Sequence, residues 1–282
     1  MNTSFVAFLN KHGIASASDT DMTLYTLSRQ EPVAVAVNQY SQIPWDTIIN
    51  TYLKKGEIAK HDVFGDYARD FCNYLCAVEA NPACKKMTDD DGNIVFLGFG
   101  ADDLFPSAVD IMVRYDEETG KLVCDFDIER GIDHDNETDF FTLSHFENTQ
   151  PVIYGISDII RQKLIDKQVE LINVFKERIM DTVKGTKFEE GVRNKLSEYD
   201  AAARFKEHTY QQSYNQLDRI GTALDSFNIE ELVKVVEDFV DAKVQLDHLK
   251  AGGKGELPHT KELAVITRTE GVVYIKHCLF GL

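Results

Sequence analysis

Thr3-Ser4-Phe5-Val6-Ala7-Phe8-Leu9, then Lys11-His12-Gly13, then Ile14-Ala15-Ser16-Ala17-Ser18 and Asp19, is the stretch from which the fold is read. Two short apolar runs flank a turn that contains glycine, which is the pattern of an antiparallel β-hairpin. A hairpin brings its two ends together. Thr3 and Asp19 are therefore expected side by side, although sixteen positions separate them in the sequence.

Strand-like runs continue at 23–28 and 32–38, the second of them the unbroken Val33-Ala34-Val35-Ala36-Val37 expected of a strand buried on both faces. One helix is expected to begin near Pro44, with Ile48, Ile49, Tyr52 and Leu53 on one face, and another to run from Val63 to Ala80. Asn93–Gly98, Ala108–Tyr115 and Lys121–Ile128 again look like strands, the latter two joined by the polar turn at 116–120. From Tyr154 the spacing turns helical, with Ile159, Ile160, Leu164, Ile165, Val169, Ile172, Val174, Phe175 and Ile179 in one stripe that Gly185 ends. A more polar helix follows. Another is expected after Asn228, a suitable N-cap, and the chain closes with a hairpin turning at Gly271.

Several segments, taken in order, resemble the landmarks of a bacterial family of proteasome-like proteins within the N-terminal nucleophile hydrolase superfamily. They are the opening hairpin, Leu24-Tyr25-Thr26-Leu27-Ser28, the run from Pro32 to Val37, Ile43-Pro44-Trp45-Asp46, Gly98-Phe99-Gly100-Ala101-Asp102-Asp103, Glu262-Leu263-Ala264-Val265-Ile266-Thr267 and Gly271 to Lys276. The resemblance touches both termini and is least specific over 185–260. It implies an α+β fold, a four-layer αββα sandwich with an extended helical segment in the C-terminal half. One domain spans 1–282, with 1–150 mostly strands and two helices, 151–250 helical, and 260–282 the closing hairpin.

In that family a threonine is the nucleophile and its own α-amino group is the base, so the amine must be free. Thr3 is the candidate nucleophile and Asp19 its orienting partner, yet Met1 and Asn2 precede Thr3 where the family has Thr directly after Met. The family's lysine, whose charge lowers the nucleophile's proton affinity, falls on Thr23, and no Lys lies between Asp19 and Arg29. Its oxyanion glycine falls in Val37-Asn38-Gln39-Tyr40-Ser41-Gln42, so Asn38 would offer the backbone N–H past a Cβ. Gly98, Phe99 and Gly100 match a Gly-x-Gly turn that lines the site, with Phe99 supplying no hydroxyl. Three departures in one site imply a degenerate active site on a non-catalytic assembly or binding subunit. The alternative is a self-processed threonine peptidase or amidohydrolase using Thr3.

Composition narrows the partners. A net charge of -17 opposes nucleic acid and anionic membrane surfaces, and 43% hydrophobic content over 282 residues suffices for a large core. Five cysteines without a CxxC pair give no disulfide framework, which suits a reducing cytoplasm, and Cys72 and Cys76 have the spacing of buried core positions on one helix. Asp89-Asp90-Asp91-Gly92-Asn93 lacks the closing glutamate of a calcium loop, since position twelve is Gly100. The acidic run 131–139 has no spacing that converges on a metal, so neither a metal nor a cofactor is expected. The helical excess points to a homo-oligomer, with a ring and a protein or peptide ligand as the further expectations.

Overall fold

The computed structural model describes residues 5–19, 22–28, 31–38, 41–55, 60–78, 82–87, 92–134, 137–143, 158–198, 200, 203–204, 207, 219–250, 252 and 262–276. Its contacts divide the chain into two compact units, 1–146 with 221–282, and 147–220.

The first unit is built on β1 (Phe5–Asn10), β2 (Gly13–Ser18), β3 (Met22–Thr26), β4 (Val33–Asn38), β5 (Asn93–Gly98), β6 (Ser107–Asp116), β7 (Lys121–Gly131), β8 (Thr138–Leu143), β9 (Glu262–Thr267) and β10 (Gly271–Lys276). They form two five-stranded sheets, β10-β9-β2-β1-β8 and β3-β4-β5-β6-β7, with every pairing antiparallel. Helices α1 (Trp45–Lys54) and α2 (Phe64–Ala77) follow β4, and α5 (Ile229–Lys250) precedes β9.

The opening hairpin forms with Phe5 opposite Ser18 and Asn10 opposite Gly13, so Lys11 and His12 are the two loop residues. Two apolar clusters explain the rest. Phe5, Ala7, Leu9, Ile14, Ala264 and Ile266 of the first sheet meet Met22, Leu24, Ala34, Ala36, Val95 and Leu97 of the second in one inter-sheet core. Val33, Val35 and Val37 point to the opposite face of β4 and pack with Ile49, Phe64, Phe71 and Leu75 of α1 and α2. The unbroken apolar run of β4 therefore is buried on both faces, as its sequence predicts.

The structure corrects the expected four-layer αββα sandwich of the N-terminal nucleophile hydrolase type. The arrangement is sheet-rich, two antiparallel five-stranded sheets, and most of the expected helical segment belongs to a separate compact unit. Helices α3 (Asp158–Val183) and α4 (Glu189–Ser197) belong to the second unit, where α3 contacts α4. The physical reason lies in α3 itself. Its apolar residues are interleaved with charges, and Leu164, Leu171, Val174, Phe175 and Ile179 are 41–59% exposed.

β8 has no counterpart among the expected strands. It pairs with β1 from Phe5 opposite Leu143 to Asn10 opposite Thr138, so the end of the acidic run 131–139 enters a sheet. The calcium-like triplet at 89–91, most of the polar helix at 199–217 and most of the Lys250–Gly255 break lie outside the described residues.

At the hairpin tip the fully buried Asn10 anchors the approach to α5. Its Nδ2 donates to the carbonyls of Leu224 (3.0 Å) and Phe227 (2.9 Å), and its Oδ1 accepts the His12 N–H (2.9 Å). Asn10→Ala removes all three partners at a site water reaches poorly, and a loss of about 2 kcal/mol is expected. Chemical denaturation checks this, with the exposed Lys11–Asp225 ion pair as a control whose removal by Lys11→Ala should change little.

Candidate functional site

Asp19 lies one residue beyond β2 and is 9% exposed, at the end of the hairpin opposite its turn. Thr3 lies outside the described residues. At this same end the Ser18 hydroxyl donates to the Met22 carbonyl (3.0 Å), which ties the first sheet to β3, and Met22 sits opposite Asn38. Alternation from Ala34 and Ala36 places Asn38 on the inter-sheet face. Asn38 and the connection carrying Asp19 thus share one end of the paired sheets.

Thr23 does not join them. Met22 and Leu24 belong to the inter-sheet core, so Thr23 between them faces the other way, toward the cluster of Val35, Val37 and Tyr25, and is 6% exposed. The positions of β3 that face Asn38's side are Met22, Leu24 and, farther along, Thr26, and none of them is a cation.

Gly98, Phe99 and Gly100 stand at the far end of β4. Gly98 pairs with Val33, five residues from Asn38, a separation of roughly 17 Å along the strand. Their role there is close packing. Phe99 N–H donates to the Pro32 carbonyl (3.2 Å), Ala101 N–H to the His61 carbonyl (2.9 Å), and Asp102 N–H to the Asp62 carbonyl (3.0 Å). The Asp103 carboxylate accepts from Gly100 N–H (2.8 Å) and from Phe64 N–H (2.9 Å), so it caps the start of α2, where the N-cap residue Val63 offers no side-chain bond. The Gly98-Phe99-Gly100 turn and Asn38 are not brought together.

What the structure does gather is a polar group between the sheets that the sequence alone did not single out. Glu262, at the start of β9 opposite Ser18, is 5% exposed and its Oε2 accepts the Leu24 N–H (2.8 Å). Tyr274 of β10 donates its hydroxyl to the Leu24 carbonyl (2.9 Å) and lies 3.2 Å from the Thr26 hydroxyl. Ser16 Oγ donates to the Ala264 carbonyl at 3.5 Å. Leu24 is on the edge strand of its sheet, so its outward peptide groups would otherwise be open to another strand. Glu262 and Tyr274 close that edge from the other sheet.

Burial pushes the Glu262 carboxyl up from 4.5 to about 7, the Leu24 N–H bond opposing it only in part. Burial likewise raises Tyr274, the Thr26 hydroxyl opposing it. A carboxyl of this kind exchanges a proton near neutrality while it accepts the N–H of an edge strand. The signal that could have found it is a lone Glu opening an otherwise apolar strand, but its partner is 238 positions away.

A separate cleft of about 360 Å³ opens at the start of α1, lined by Tyr25, Ser41, Gln42, Ile43, Trp45 and Asp46 among others. The Tyr25 hydroxyl donates to the Asp46 carboxylate there. Among the described residues no group of three or more His, Cys, Asp or Glu is arranged to hold a metal ion, and no helix is long and apolar enough to cross a membrane. Comparison with known proteins finds no matching family model, and no curated protein matches the sequence.

Proposed function

We propose that the chain is a non-catalytic assembly or binding protein, of the kind its resemblance to proteasome-like subunits implies. The observation that carries this is the inner surface of β3. A threonine nucleophile of that class relies on a nearby cation to favour its reactive form. On β3 the inter-sheet positions are Met22, Leu24 and Thr26, none of them a cation, Thr23 points to the opposite face, both outward peptide groups of Leu24 are held by Glu262 and Tyr274, and the Thr26 hydroxyl lies against Tyr274. A latched strand without a cation suits a scaffold better than a hydrolytic centre.

The partner is a second copy of the chain, met through α3. Leu164, Leu171, Phe175 and Ile179 recur along one side of that helix and are 44–59% exposed, the kind of contiguous apolar strip that marks an interaction surface. Its charges support self-pairing. In a chain of net charge -17, α3 carries Arg161, Lys163, Lys167, Lys176 and Arg178 against Asp158, Asp166, Glu170, Glu177 and Asp181, five of each sign. Two such helices meet without the repulsion that the rest of the surface would impose.

Intact mass, light scattering and activity together test the proposal. The expected result is a chain that retains Met1, leaves fluorogenic peptides uncleaved, takes no adduct from electrophiles that trap N-terminal threonines, and assembles at micromolar concentration. A chain that starts at Thr3 and labels there overturns the non-catalytic reading in favour of a threonine hydrolase. A strictly monomeric mass overturns self-assembly, as does an assembly that Phe175→Glu and Leu171→Glu leave unchanged.

A further inference from the structure

The helix α2 and the strand β7 bring three thiols together from two distant parts of the chain. Cys72 and Cys76 are one turn apart on α2, and Cys124 comes from β7, against which α2 packs. The Cys76 and Cys124 sulfurs are 3.9 Å apart. Cys72 is also close enough to Cys124 to raise its thiol, so Cys124 neighbours both helical thiols. Cys72 is 4% exposed, while Cys76 and Cys124 are each partly open to solvent. The spacing of Cys72 and Cys76 alone reads as core; it is the third sulfur, 48 positions from Cys76, that turns a packing pattern into a reactive pair.

We propose that Cys72, Cys76 and Cys124 form a disulfide-forming site, in which a small-molecule disulfide of the glutathione type converts Cys76 and Cys124 to a bond fastening the last turn of α2 to β7, with Cys72 as a third thiol able to exchange into it. The site is independent of the proposed assembly function. Among the described residues no group of three or more His, Cys, Asp or Glu is arranged to hold a metal ion, the trio included.

The electrons balance in two exchanges. Cys76, as thiolate, attacks one sulfur of glutathione disulfide, forming a mixed disulfide and releasing one glutathione thiolate, which takes up the proton Cys76 lost. Cys124, as thiolate, then attacks the Cys76 sulfur, forming the Cys76–Cys124 bond and releasing the second glutathione, which takes up the Cys124 proton. Two protein thiols are oxidised by two electrons and one glutathione disulfide is reduced to two glutathiones. Cys72 can next attack the Cys124 sulfur and displace Cys76, which moves the bond without further oxidant.

Only modest motion separates the resting pair from the bonded one, since a disulfide needs the sulfurs near 2 Å and side-chain rotation about Cβ supplies shifts of this size. Hydrogen bonding to Cys72, then burial, raises the Cys124 thiol, and burial, then Cys124, raises Cys76. Thiols held neutral react slowly, because the thiolate is the nucleophile. The same effect favours the product, since a disulfide is most easily reduced where its thiolates are stabilised, and here they are not. A slow-forming, persistent bond follows.

The test incubates the folded full-length chain with excess glutathione disulfide, counts free thiols, and maps unreduced peptides. The expected result is a loss of two thiols per chain, a Cys76–Cys124 linked peptide, and an upward shift of the thermal midpoint that dithiothreitol reverses. In Cys76→Ser the linked peptide should become Cys72–Cys124, and in Cys124→Ser the cluster should form no internal bridge. Retention of all five thiols on the folded wild-type chain, bridges that join Cys84 or Cys278 while the cluster stays reduced, or a bridge that appears only after denaturant is added would each overturn the proposal. The wild-type map decides even where a variant fails to fold.

Discussion

Replacing Glu262 by Gln is expected to flatten the chain's stability across neutral pH and to make it more stable than wild type above pH 7. In the unfolded chain the Glu262 carboxyl ionises near its ordinary value of 4.5, whereas in the folded chain burial holds the proton to about 7. Below the lower value both states are protonated and Glu262 costs nothing. Between the two values the unfolded state ionises first, so stability falls as pH rises. Above the upper value the whole penalty is present, on the order of 3 kcal/mol.

The amide that Glu262→Gln introduces cannot ionise, yet its carbonyl oxygen can still accept the Leu24 N–H that Glu262 Oε2 now takes at 2.8 Å. The difference between the wild-type and Glu262→Gln unfolding curves should therefore be small near pH 5 and grow by several-fold toward pH 8. Taking the difference cancels the titration of the other carboxylates, which both proteins share. Denaturant unfolding measured at half-unit pH steps checks this, and two parallel curves would sink it. Glu262→Ala should fare worse than Glu262→Gln at every pH, because it leaves the Leu24 N–H unpartnered between the sheets and a void beside Tyr274.

Why Glu262 escapes the sequence while the hairpin does not is a matter of range. The hairpin is legible because all its determinants are local: two short apolar runs, a glycine at the turn, and a register fixed by a two-residue loop, with Phe5 opposite Ser18. The β4 run is legible for the same reason, since Val33, Val35 and Val37 serve one core and Ala34 and Ala36 the other. β8 is not, because Thr138-Asp139-Phe140-Phe141-Thr142-Leu143 continues an acidic loop and shows no clean alternation, and its place is set by pairing with β1. α3 misleads in the opposite sense: its apolar positions recur like a buried face, yet Leu171 and Phe175 are more than half exposed, and periodicity alone does not separate a buried stripe from an exposed one. Thr23 shows the sharpest limit. A shift of one residue on a strand reverses the face, so a position taken from resemblance can land on the wrong side of a sheet even when the strand itself is correct.

Gly98→Ala is expected to destabilise the chain severely for the addition of a single methyl, and for a reason unrelated to catalysis. Gly98 has φ +154°, a conformation that L side chains rarely adopt, and a Cβ built there would lie 2.2 Å from the Pro32 carbonyl oxygen, 3.0 Å from Val33 Cα and 3.1 Å from a ring carbon of Phe64. Two of those neighbours are backbone, held by the β4–β5 register in which Val33 faces Gly98 and by the Phe99 N–H bond to Pro32. Neither can retreat without breaking the ladder that buries β4 on both faces. Conformational strain and overpacking each contribute about 1–3 kcal/mol, so a combined loss of roughly 3–5 kcal/mol is expected, or a thermal midpoint lower by on the order of 10 °C. Gly271→Ala separates the two causes, because Gly271 also has positive φ (+72°) but nothing lies within 4 Å of the added methyl, leaving strain alone at about 1 kcal/mol. If the two variants lose equal stability, the close approach to Pro32 carries no weight and the turn is free to serve a bound ligand. If Gly98→Ala falls several-fold further while the assembly state of whatever remains folded is unchanged, Gly98, Phe99 and Gly100 are explained by the packing of β4 against the start of α2, which is where their hydrogen bonds already lead.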